Sequence, residues 1–150
     1  MLQLRQTKGG LLDLTSQAHV RAHDRAIVIG VGLKSEAPSE IKENLLELEE
    51  LVTAAGGEVV GSIIQILPQW NPATLIGTGK VEEVAEMVRD SKANLVVMDH
   101  QLSGVQQRNL EQTIKARVID RNQLILDIFA QRAQTFEGKL QVEQIGRAHV

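Results

Sequence analysis

AIVIGVG, from Ala26 to Gly32, is a β-rich apolar run with too little alternation for a sheet wetted on one face. It reads as a parallel strand covered on both sides. Downstream of a turn at Pro38, the apolar residues Ile41, Leu45, Leu48, Val52 and Ala55 recur at steps of four and three, the period of one helical stripe. Gly56-Gly57 supplies the left-handed position that commonly ends a helix, and EVVGSIIQIL, from Glu58 to Leu67, reads as a second strand. The unit is strand, helix, strand.

The same alternation continues outward. Pro68, Asn71 and Pro72 mark a loop; Val81, Val84, Ala85 and Val88 form a second helical stripe; NLVVMD, from Asn94 to Asp99, is a third strand. Ser103 with Gln106 fits a capping box, so a third helix is predicted from near Gly104 to about Lys115, with Leu110 and Ile114 inward. RVID, Arg117 to Asp120, is a short fourth strand, and a fourth helix is predicted over Gln123 to Gln134 on Leu124, Ile125, Ile128 and Phe129. Strands alternating with helices require right-handed crossovers, so the expected fold is α/β: an open, mainly parallel sheet of about four strands with helices on both faces. Upstream, residues 1–23 read as an irregular leader whose trio Leu11, Leu12 and Leu14 suits an edge strand or a docking tail.

Composition agrees with one domain. The chain has 150 residues, 43% of them apolar, and its few aromatics are Trp70, Phe129 and Phe136. The core is therefore aliphatic, which disfavours a binder of carbohydrate or aromatic ligands. There is no cysteine, no apolar run long enough to cross a bilayer and no basic-then-apolar leader, so the expected compartment is the cytoplasm, with no membrane role. The net charge is −3, with an acidic excess in the first hundred residues and a slight basic excess in the last fifty. Any nucleic-acid surface belongs in that last third, where Arg108, Lys115, Arg117, Arg121, Arg132 and Lys139 lie.

Several stretches invite chemistry and fall short of it. Ile76-Gly77-Thr78-Gly79-Lys80 suggests a phosphate loop, but Thr74 and Val81 stand where that loop needs a Gly and a Ser or Thr. Gly30-Val31-Gly32 follows a strand, yet Ser35 holds the place of the third glycine of a dinucleotide fingerprint. His19 and His23 have the spacing of a helical metal pair, without the zincin glutamate or a third ligand. Asp99, His100 and Asp120 sit at strand ends, where they would converge on an acid/base or magnesium site or, more simply, cap the helices that follow. No catalytic, cofactor or metal residue is assigned.

From Asp24 to Glu143 the chain resembles the N-terminal domain of HflX-type GTPases. The resemblance is carried by NPATLIGTGKVEEV (Asn71 to Val84), LSGVQQRNLE (Leu102 to Glu111) and VIDRNQLILDIFAQRAQTFEGKLQVE (Val118 to Glu143). Gly104 stands where the family usually has proline, and His100 where it generally has an acid. The resemblance implies a ribosome-associated GTPase, linked to splitting or rescue of stalled ribosomes under stress. Its N-terminal domain docks on the large subunit and its rRNA, while a separate G domain binds GTP and magnesium. This chain is then expected to be a non-catalytic, monomeric fragment whose partners are the large subunit and its own G domain, with no DNA partner and no cofactor of its own. Lys80, Arg108, Arg121 and Arg132 are its candidate contacts to RNA or to the other domain.

The resemblance places the domain at 24–135 and the start of a linker at 136–143. Gln144–Val150 departs from the family's Leu-Ala-Gln-Leu, and IGRAHV reads as the in-frame translation of a common sequencing adapter, so 144–150 is expected to be a non-native tail. Two other readings stay open at this stage. One is a stand-alone α/β nucleotide-binding module or enzyme using Gly77 to Lys80 with Asp99 and Asp120. The other is a domain that acts mainly by packing on its own G domain and tuning it.

Overall fold

The computed structural model of the chain describes residues 20–133. Its elements are β1 (Arg25–Leu33), α1 (Pro38–Ala54), β2 (Glu58–Leu67), α2 (Thr78–Ser91), β3 (Leu95–Met98), α3 (Gly104–Ile114), β4 (Arg117–Asp120) and a fourth helix, α4, over 121–133. The four strands form one parallel sheet in the order β2-β1-β3-β4. This is the α/β architecture expected from the alternating pattern. Leu11, Leu12, Leu14, His19, Lys139, residues 136–143 and the tail 144–150 lie outside the described residues.

Strand order decides which helix covers which face. Along β1 the side chains alternate: Ile27, Ile29 and Val31 pack with Val81, Val84 and Val88 of α2 and with Leu110 and Ile114 of α3. Ala26 and Val28 pack with Leu45, Leu48 and Val52 of α1 and with Leu124 and Ile128 of α4. Apolar side chains cover both faces of β1, which is why the strand shows no polar alternation in the sequence. Gly32 lets α1 approach: a β-carbon there would run into the side chain of Ile41, itself buried against β1. The Gly30-Val31-Gly32 pattern thus serves helix packing.

Helix ends follow the local chemistry in part. Gly56 has φ of 100° after α1, as the sequence suggests, while α2 and α3 end on Lys92 and Lys115 in the left-handed conformation. Ser103 caps α3 as expected: its side chain accepts from the Gln106 amide at 3.1 Å, and Gln106 Oε1 accepts from the Ser103 amide at 3.0 Å.

The packed unit begins before Asp24. Val20 is 1% exposed, lies in the α1/α4 layer, and donates its amide to Asp127 Oδ2 of α4 at 2.7 Å. Asp24 is buried below the sheet, where it accepts from the Arg21 amide at 2.7 Å, Arg117 Nη2 at 2.6 Å and Asn94 Nδ2 at 3.0 Å. Burial works against its charge, but these donors outweigh it and hold the carboxyl below its ordinary pKa. Among the described residues no helix is long and apolar enough to cross a membrane.

Candidate functional site

In an open parallel sheet, ligands tend to gather outside the C-terminal strand ends where the winding reverses. Here that point lies between β1 and β3. Asp99 follows β3 and extends the ladder, its amide donating to Ile29 O at 2.9 Å. Its carboxylate accepts from Arg121 Nη1 at 2.7 Å, while Arg121 Nη2 bonds Glu47 of α1. One guanidinium therefore ties β3, α1 and the start of α4 together. Burial pushes the Asp99 carboxyl up, and the Arg121 pair only partly offsets this.

Asp120 has a different task. Its Oδ1 accepts from the Gln123 amide at 2.9 Å and its Oδ2 from the Leu102 amide at 2.8 Å, while Gln123 Oε1 accepts from the Asp120 amide at 3.1 Å. This is a reciprocal cap for α4, and both carboxylate oxygens are engaged. His100 packs its ring on Trp70, with centroids 4.4 Å apart and planes at 44°. Asp99, His100 and Asp120 thus have separate structural partners, and among the described residues no group of three or more His, Cys, Asp or Glu could hold a metal ion. His23 has φ of 69° in the turn before β1, off any helix, and His19 lies outside the described residues.

The loop between β2 and α2 is closed on itself. Asn71 and Leu75 exchange both backbone hydrogen bonds, at 3.0 and 2.7 Å, and Asn71 Oδ1 accepts from the Ala73 amide at 2.8 Å. Leu75 adopts φ of 65°, a cost its complete burial beside Ile76 offsets. Two side chains of α3 then fasten the loop: Gln106 Nε2 donates to Asn71 O at 3.1 Å and Asn109 Nδ2 to Ala73 O at 2.9 Å. The stretches Asn71–Val84 and Leu102–Glu111, far apart in sequence, therefore form a single ledge.

The Gly77–Lys80 turn belongs to this ledge. The Gly77 amide donates to Gln65 Oε1 at 3.1 Å, and Lys80 Nζ lies 3.2 Å from Glu83 Oε1. Of the other candidate contacts, Arg108 on α3 and Arg132 on α4 are exposed, whereas Arg121 is 24% exposed and held by two carboxylates. Gly79 and Gly104 face open space: a β-carbon at either would meet nothing within 4 Å. Sequence reasoning missed Gln65, Asn109 and the reach of Gln106 to the loop. Polar residues at helix positions carry no sign of a distant backbone partner.

Residues 42–130 match the family model described as GTP-binding GTPase N-terminal. The chain belongs to that family. It is 49% identical over 108 residues to GTPase HflX of Escherichia coli, covering 72% of this chain and 25% of the relative. It is 41% identical over 120 residues to GTPase HflX of Flavobacterium psychrophilum, covering 80% of this chain and 29% of the relative. The chain thus spans well under a third of either HflX relative, and it corresponds to the N-terminal domain. The same fold occurs in the crystal structure of a complex of SsGBP with GDP, with a TM-score of 0.56 and 23% identity over 80% of this chain and 33% of that one.

Proposed function

We propose that this HflX-family domain is a non-catalytic docking and regulatory module of a cytoplasmic GTPase that acts on the large ribosomal subunit. GTP and magnesium are handled by a separate G domain, against which this domain also packs. The observation that carries the proposal is the ledge. Two of the three stretches behind the family resemblance meet there, joined by Gln106 and Asn109, with Gly79, Gly104 and the cation Arg108 exposed beside them. Glycines with open space above them leave backbone accessible to a broad partner such as folded RNA, and an exposed arginine suits a phosphate.

The same geometry argues against a nucleotide pocket at Gly77–Lys80. The Gly77 amide is committed to Gln65 and the Lys80 ammonium to Glu83, so neither is presented to a phosphate.

Co-sedimentation of the chain with large ribosomal subunits tests the reading. Binding at low salt should fall steeply as salt rises, and Arg108→Ala should weaken it. A folded chain that stays in the supernatant at low salt would sink autonomous docking. Magnesium-dependent nucleotide binding by the chain alone would favour the enzyme reading instead.

A further inference from the structure

We propose that Trp70 and His100 form a stacking platform for one unpaired RNA base, with Arg108 placed to receive a neighbouring phosphate. This rests on the RNA-docking reading of the ledge and names what the ledge recognises. Trp70 follows β2 and His100 follows β3, two strands that β1 separates, so their contact bridges the C-terminal end of the sheet. That end is where open parallel sheets commonly take ligands.

The two rings make a short pile. Trp70 is half-buried and packs on the core layer of α2 and α3. His100 lies against it with centroids 4.4 Å apart, and its Nδ1 donates to Gln101 O at 3.0 Å, which fixes the ring. Contact at that distance admits no base between the rings, so the pile can grow only beyond His100, which keeps part of its surface in solvent.

The surroundings suit a base better than an apolar side chain. Gln69 and Gln101, each next in sequence to one of the rings, are exposed, and amide side chains can hydrogen-bond base edges. Gln106 Nε2 donates to Asn71 O at 3.1 Å, so the residue after Trp70 is tied to the first turn of α3. On that helix Gly104 and Arg108 are exposed one turn apart, a row that lets a strand approach and offers a cation to its phosphate. Double-stranded RNA keeps its bases stacked inside, so the fitting partner is a single strand or a loop. The sparse aromatics of the sequence argue against an aromatic ligand, but a single base needs only this one pair.

The probe is a single-stranded RNA of about eight nucleotides carrying, at its centre, a fluorescent adenine analogue that stacking quenches. Titrating in the whole chain at low salt should quench its emission, and the same strand annealed to its complement should change little. His100→Ala should weaken binding by about tenfold and relieve the quenching, as should Trp70→Leu, which keeps an apolar side chain against the core. Arg108→Ala should weaken binding without altering the quenching at saturation. Far-UV circular dichroism confirms that each variant is folded. Binding of the single strand without quenching overturns the platform and leaves ledge docking intact, and so does unaltered quenching in both ring variants. A folded chain that binds no single strand at low salt overturns the platform too, and co-sedimentation with the large subunit then decides the docking reading separately.

Discussion

Asp24 and Asp99 are buried aspartates with opposite responses to acid. The folded pKa of Asp24 lies below its ordinary value of 3.8, so its stabilisation is complete above that pH and disappears as pH falls through the folded pKa. The folded pKa of Asp99 lies above 3.8, so its charge costs stability at neutral pH, and that cost is relieved as pH falls through the folded pKa. Urea unfolding across acid pH should therefore show Asp24→Asn flattening the loss of stability below 3.8, and Asp99→Asn removing a gain that begins above it. Arg121→Met should cost about 2–3 kcal/mol at neutral pH, because it strands the Asp99 carboxylate, and less once that group is protonated. In the sequence Arg121 looks like one basic residue among several. Its partners lie 22 and 74 residues away, and no local pattern announces them.

At the scale of elements, local pattern was enough for β1, α1 and the capping box at Ser103: an unbroken apolar run for a strand covered on both faces, a stripe at steps of three and four for the helix, and a serine three residues before a glutamine for the cap. The end of α3 near Lys115 was legible, but the left-handed conformation that closes both α2 and α3 was not, since lysine carries no turn signature. Lys92 and Lys115 take φ values of 58° and 62° that glycine adopts without strain. Lys92→Gly and Lys115→Gly should each stabilise the domain by about 0.5–1 kcal/mol in denaturant titrations, the relief of a left-handed β-carbon outweighing the added freedom of the unfolded chain. Gln106→Ala should cost about 1 kcal/mol and speed hydrogen exchange at Leu75, whose amide closes the loop that Gln106 fastens.

For the molecule as a whole, fold class followed from the alternation of strand and helix, but the distribution of helices between faces did not. It depends on β3 pairing with β1 rather than with β2, a choice written in no single segment. The packed boundary was hidden for a similar reason: Val20 sits in a polar stretch, and only its burial and its bond to Asp127 join it to the core. A chain shortened to begin at Asp24 should lose about 2–4 kcal/mol, read as a lower midpoint of thermal unfolding, from the lost burial of Val20 and the loss of its buried hydrogen bond to Asp127.

The position of β1 also bears on how the domain is made. Among the described residues it is the first strand in sequence and an interior strand in space, flanked by β2 and β3. A nascent chain that has reached Leu67 can pair β1 on one side and cover one face with α1. Ile27, Ile29 and Val31 still lack α2 and α3, and the far edge of β1 stays open until Met98 has been synthesised. Until Met98 has been made, the strand that organises the fold is half dressed, and that interval is when a growing chain has most need of a chaperone.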